Sequence, residues 1–184
     1  DPPGPGTVYT AGVSDQSIVG LYRVEVSVAS GTGKLKTAGG LSGEMKESAQ
    51  RAFAYLNSKK TELGVGRDVD TSDFHVQVID LIGNRVEAEI GVAVFVAFCS
   101  ALRQTSVAPA LLVLGDMSVQ GNIKAARSLA EPLRVGMDNG ARRALVPIEN
   151  KRSFLEVAAD VVEHVDPVFY GDPKTAAMKV LGMA

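Results

Sequence analysis

Sulfur and imidazole are scarce in this chain. Cys99, His75 and His164 are its whole stock of cysteine and histidine. A lone thiol cannot close an internal disulfide, and placed in an apolar stretch it serves as a small hydrophobe. Zinc sites built from Cys and His at familiar spacings are excluded with it. Long hydrophobic runs are missing too. The longest, Ile90 to Cys99 with Gly91 inside it, falls well short of the roughly 20 residues a membrane-spanning helix needs. The start carries no basic stretch leading into an apolar one, so no secretory signal is read there. Positive charge is not in excess either: the net charge of -2 argues against general nucleic-acid affinity. A cytoplasmic protein without a membrane span is the expectation.

What is present is enough for one ordinary domain. At 184 residues the chain can bury a real core. Residues 1–6, DPPGPG, hold three prolines without backbone donors and cannot sustain helix or sheet. They read as an interdomain linker, with residues 7–184 as the domain and the whole as a C-terminal piece of a larger protein. The organising stretch is Arg85 to Glu131: a helix apolar nearly all round, a connector, an apolar strand, a Gly-Asp turn and the approach to a second helix. A core helix delivered onto a core strand that ends in a glycine turn builds a cleft, which makes Asp116, at that turn, a candidate cleft residue.

Around that stretch the chain alternates strands and helices. Thr7–Ala11 and Val19–Ala29 read as strands, the second from the period-two alternation of Tyr22, Val24, Val26 and Val28. The following SGTGKLKTAGG reads as a loop. Its G-T-G-K is not a phosphate-binding loop, because Lys34 is followed by Leu35 rather than Ser or Thr. Ser42 to Asn57 is predicted helical, with Met45, Ala49, Ala52, Phe53 and Leu56 on one stripe, Lys46, Glu47, Gln50 and Arg51 on solvated faces and Ser42 as N-cap. A polar linker leads to the strand SDFHVQVIDL, whose polar side carries His75 as a surface or cleft-lining residue. The buried helix is predicted over Glu87–Leu102 and a strand over Ala110–Leu114. Ser128 and Glu131 fit a capping box, with Pro132 at the edge of the first turn. Asn139-Gly140 stops that helix, and Arg143–Pro147 is a strand. Asn150 caps a short helix, Val165–Tyr170 is extended, and Asp172-Pro173 opens a last helix. The mixture predicts an α/β (α+β) fold, a mixed sheet flanked by helices.

Four blocks then resemble one family. GGLSGEMKESAQRAFAYL is similar to the "G.LG..MKESAQ.A" helix that opens the peptidase domain of Lon proteases. DFHVQV resembles that family's DIHVHV strand, LGDMSVQGNI its TGEITLRGRV hairpin and LVPIENKRSFLEV its ILPxENxxDLxxI segment. The order and spacing agree from about Leu35 to the end. VFVAFCSAL, VLGDMSVQGNIK and FYGDPKTAAMKVLG look most like the Lon-like proteins of BREX phage-resistance systems, which join an AAA+ ATPase to a C-terminal Lon-like domain. The resemblance implies a Lon peptidase-domain-like fold, ATP and Mg on the missing AAA+ part and no cofactor or metal here. It also implies a homo-oligomeric ring, an unfolded polypeptide as ligand, and DNA contact only through missing parts.

Lon chemistry uses a serine in GPSAG as nucleophile and a lysine in GGLKEK as base, its pKa lowered by enclosure. In the gapless register Ala88-Glu89-Ile90-Gly91-Val92 stands for PSAGI, and Arg127 to Pro132 for GGLKEK. Glu89 thus occupies the nucleophile's position and Pro132 the base's. A carboxylate is a weak nucleophile toward an amide, and proline has no side-chain base. No catalytic residue is therefore assigned. Two rearrangements stay open: Lys124, Ser118 or Ser128 regrouping near the cleft as a displaced dyad of an active ATP-dependent serine endopeptidase, or Glu87, Glu89 and Asp80 forming an acidic cluster for a metal or for acid-base work. Acids simply capping the first turn of the buried helix are the plainer reading.

Overall fold

Alternation of Tyr22, Val24 and Val26 with more exposed neighbours produces a long central strand, and the rest of the sheet is laid beside it. In the computed structural model, which describes residues 2–39, 41 and 43–182, seven strands form one mixed sheet, in the order Leu35–Thr37, Ser72–Asp80, Val19–Ser30, Thr7–Val13, Leu111–Val113, Arg143–Pro147 and Asp166–Tyr170. β1 (Thr7–Val13) and β2 (Val19–Ser30) run antiparallel, as do β2 and β4 (Ser72–Asp80). β3 (Leu35–Thr37), β5 (Leu111–Val113), β8 (Arg143–Pro147) and β9 (Asp166–Tyr170) join by parallel pairing. A separate hairpin, β6 (Asp116–Met117) with β7 (Ile123–Lys124), stands off the sheet. The expected α/β architecture with a mixed sheet is what the chain adopts.

Helices cover both faces. On one lie α1 (Gly43–Lys59), α3 (Gly91–Arg103) and α7 (Pro173–Leu181). On the other lie α4 (Ala130–Asp138) and α6 (Ala159–His164), with α5 (Lys151–Leu155) beside them. α3 is the centre of the first layer, packing on β1, β2, α1 and α7. Its residues Gly91 to Ala101 are all buried, as the all-round apolar sequence predicts. Phe98 meets Phe53 and Phe74 edge-on, with ring centroids 5.8 and 5.5 Å away, a geometry that aligns ring edge with ring face. The Cys99 thiol is buried, and burial pushes it up to about 12, so it acts as a small hydrophobe.

Several local expectations need correction. The loop after β2 contains β3, whose backbone pairs with β4, and the polar linker contains α2 (Gly66–Asp70). Tertiary pairing imposes the first; neither has a periodic signal long enough to read. The capping box at Ser128 and Glu131 does not form: the N-cap of α4 is Leu129, with no side-chain bond. Pro132 nevertheless sits in the first turn, where its missing donor costs little. Ser42 lies outside the described residues. Asp172 does cap α7, accepting from the Thr175 N–H at 2.8 Å, with Pro173 directly after it. The end of the proline-rich segment is docked, its Gly6 N–H donating to Ser100 Oγ at 2.9 Å. No helix among the described residues is long and apolar enough to cross a membrane.

Candidate functional site

The buried helix begins later than its sequence suggests. α3 starts at Gly91, and residues 84–90 reach it in irregular conformation, fastened by the Tyr22 hydroxyl donating to the Val86 carbonyl. This frees Glu87 and Glu89 from the helix, and neither caps it. Glu87 Oε1 instead accepts the Glu44 N–H of α1 at 2.8 Å. The N-terminus of α3 is served by the hairpin: Asp116 Oδ1 accepts the Gly91 N–H at 3.0 Å. Each helix is thus capped by a carboxyl from another segment, whose oxygen accepts a backbone N–H at the positive end of the helix dipole.

Asp116 is the hub of this arrangement. It is 3% exposed, and Arg51 of α1 donates to its Oδ2 at 2.7 Å and to the Met117 carbonyl at 3.2 Å. Gly91 is required here because a Cβ at that position would overlap Asp116 Oδ1. Burial raises the Asp116 carboxyl above the usual carboxylate range, and a hydrogen bond with Glu89 raises it further; the Met117 N–H and Arg51 oppose the rise. For Glu89 burial works upward, but hydrogen bonds from Lys124 and Asp116 and the charges of Lys124 and Arg127 outweigh it and hold the group below its ordinary value. The physical picture is a carboxyl pair in which Glu89 carries the charge and Asp116 is the readier to hold a proton.

Glu89 is gripped from the far side by the segment following the hairpin. Lys124 Nζ lies 2.6 Å from Glu89 Oε2, and Arg127 Nη2 lies 3.4 Å from Oε1. Residues 124–128 form one wall of a cavity of about 240 Å³, which Glu89, Gly115, Asp116 and β1 residues Ala11 to Val13 complete. The middle of that wall, between Lys124 and Arg127, is tied down by Asn150, which is buried. Its Oδ1 accepts the Ala126 N–H at 2.8 Å and its Nδ2 donates to the Ala126 carbonyl at 3.1 Å.

The residues singled out in the sequence therefore separate. Glu89 and Asp116 meet in the cavity. Pro132 is buried in α4 and is not part of its lining. His75, expected as a candidate cleft residue, is exposed on the sheet between Ser27 and Lys36 and lines a different, open depression. The strand alternation that turns Phe74 and Val76 toward the layer of α1 and α3 turns His75 to the opposite face. Asp80 leaves the acidic cluster to close its own turn, accepting the N–H groups of Ile82, Gly83 and Arg85. Ser118 likewise closes the hairpin turn, accepting from Gln120 and Asn122. Lys124 is on a strand, not a helix, and its partner is Glu89 rather than a serine. Among the described residues no Ser-Lys hydrogen bond is found, and no group of three or more His, Cys, Asp or Glu side chains is placed to hold a metal ion.

Sequence reasoning missed Arg51, Arg127 and Asn150 as parts of this site. Arg51 was expected on a solvated helix face and Asn150 as a helix cap. Their partners are 65 and 24 residues away, beyond the reach of any local pattern.

The relatives agree with this architecture. Residues 9–176 match the family described as Lon protease (S16) C-terminal proteolytic domain. The Lon-like protease BrxL of Escherichia coli O9:H4 (strain HS) is 29% identical over 182 residues, which cover 98% of this chain and 26% of that protein. The Lon-like protease BrxL of Bacillus cereus (strain H3081.97) is 29% identical over 97% of this chain and 27% of its own length. The Lon protease of Bacillus thuringiensis (strain Al Hakam) is 30% identical over 87% of this chain and 20% of its length. The chain spans about a quarter of the two BrxL relatives and a fifth of the Lon protease. With the four motif blocks, the fold and a family match over nearly the whole chain, this chain belongs to the Lon protease C-terminal proteolytic domain family.

Proposed function

We propose that this domain has the Lon architecture without Lon chemistry, a pseudoprotease module that assembles and positions an AAA+ ATPase in a phage-resistance system of the BREX type. The observation that carries the reading is the state of Glu89. At the family's nucleophile position stands a carboxylate with its charge committed to Lys124 and Arg127, while the base position, Pro132, is a buried helix residue outside the cavity. Attack on an amide needs a nucleophile with a free electron pair and a base to take its proton. An ion-paired carboxylate is too weak a nucleophile toward an amide, and proline has no side-chain base. In this reading ATP and Mg bind elsewhere in the intact protein, which is a cytoplasmic homo-oligomeric ring. The cavity holds unfolded polypeptide without cutting it, and any DNA contact is made by other parts.

A fluorophosphonate probe tests the claim directly. The expected result is no labelled serine in this chain and no casein cleavage by the intact protein with ATP. Labelling of a single serine would overturn the proposal in favour of an active ATP-dependent serine endopeptidase with a displaced dyad.

A further inference from the structure

The sheet face that carries α4 is covered unevenly. α4 lies over β1 and β2 and stops at Asp138, where Asn139 and Gly140 turn the chain back and the Ala141 N–H donates to the Gly136 carbonyl at 2.9 Å. Past that end the sheet surface opens into a cavity of about 480 Å³, which shares no lining residue with the one at Glu89. Its floor is two rows of the sheet: Tyr9, set between Arg23 and Leu112, and Leu21 beside Leu81. The walls are fixed by the fold itself. Gly136 brings α4 so close that a Cβ there would meet Leu112 Cδ2 at 2.7 Å. Ala110, also in the lining, is held at a φ of 56° with its carbonyl accepting the Arg142 and Arg143 N–H groups at 2.9 and 3.1 Å. A preformed, mostly apolar hollow of this size with one or two polar groups is the usual form of a small-molecule site.

We infer that this cavity binds a small amphiphilic carboxylate, its apolar body lying on Leu21, Leu81 and Leu112 and its head group on Arg23. Among the described residues Arg23 is the one charged side chain in the lining. It is 33% exposed, so it meets a head group at the mouth of the hollow rather than in its apolar depth. A guanidinium offers five donors in a flat fork that matches a carboxylate. Glu25 takes the Nε–H at 2.8 Å and the Tyr9 hydroxyl takes a further share, which leaves donors for a ligand. Glu25 is outside the lining but next to the head group, and its charge sets the choice of anion: it repels a doubly charged phosphate about twice as strongly as a carboxylate. The site is separate from the cavity of Glu89 and goes beyond the proposed loss of peptidase chemistry.

Methyl-resolved NMR of the whole 184-residue chain tests it, with octanoate as the probe. Saturable shifts are expected at the methyls of Leu21, Leu81 and Leu112, while those of Val92 and Val94 in α3 stay in place. Ala108→Trp, which sets a bulky ring into the lining from a half-buried position, should abolish the shifts. Arg23→Gln should weaken octanoate about tenfold or more and 1-octanol less than about twofold. That contrast is read within one variant, so a general effect on folding cancels. Octyl phosphate should bind more weakly than octanoate. Shifts that never saturate, octanoate binding that survives Ala108→Trp, equal losses of octanoate and 1-octanol in Arg23→Gln, or octyl phosphate binding as tightly as octanoate would each overturn the assignment. So would a leucine-terminated peptide that displaces octanoate at lower concentration, since the site would then be one for polypeptide.

Discussion

The body of α3 and its N-terminal end belong to one continuous segment but hold their places by opposite means. From Val92 to Ala101 every side chain is buried, and apart from Ser100, whose hydroxyl is bonded to Gly6 and Thr105, they sit among apolar neighbours where shape and volume matter. At Gly91 and just before it, each group has one or two named partners: Glu87 the α1 N–H, Gly91 Asp116, and Glu89 both Lys124 and Arg127. Nondirectional burial tolerates changes of side chain that preserve volume. Directional bonds between charged and buried groups do not, since loss of one member strands the other. The domain therefore derives its stability from the helix body and the shape of its cleft from the helix start.

Substitutions should separate the two. Phe98→Ala, which removes the ring at the centre of the aromatic contacts with Phe53 and Phe74, is expected to cost about 3–5 kcal/mol in urea unfolding, the largest single effect. A loss below about 1 kcal/mol would show that the helix body is not the stabilising region. Asp116→Ala should cost on the order of 1–3 kcal/mol, because it leaves Arg51 and the buried Gly91 N–H without their partner. It should also raise exchange at the start of α3 more than in its middle. Asn150→Ala is smaller again, about 1–2 kcal/mol for the two bonds to Ala126, and its signature is local: exchange rises at residues 124–128 while the midpoint shifts modestly.

The same division explains what could be read from the sequence. The helix body, the strands carrying Tyr22, Val24 and Val26 and the cap at Asp172 were legible because periodicity and capping act over a few residues, whereas the hairpin around Asp116 was legible only through the motif resemblance. The boundary of α3 was not. An acidic, polar run before an apolar helix resembles a capped first turn, and only the distant claims of Glu44 and Lys124 on Glu87 and Glu89 pull it straight. His75 was misplaced for a related reason: alternation tells that it faces opposite to Phe74, but not which face of the sheet bears the cavity. The register that puts Glu89 at the nucleophile position came from motif blocks and spacing. The ion pairs that occupy it join residues 35 and 38 positions apart, which no local pattern announces.

The smallest expected effect concerns protons. Glu89 is held below its ordinary value of 4.5, so just below that pH the unfolded chain binds more protons at this residue than the folded one. Its contribution to stability is complete above about 4.5 and is lost as pH falls through the lowered folded value. Asp116 behaves in the reverse sense. It is raised above 3.8, so from that pH upward the folded state holds the extra proton, and stability falls as pH rises until the raised value is passed. The two slopes oppose one another in the window where both groups titrate, which flattens the wild-type profile. Asp116→Asn removes the falling contribution and keeps a hydrogen-bonding side chain beside Glu89. Stability measured by urea unfolding at stepped pH should then climb more steeply between about pH 4 and 5 than in the wild type, whatever the variant's absolute stability. A parallel profile would mean that the pair does not divide its protons this way, and that the start of α3 is held by geometry alone.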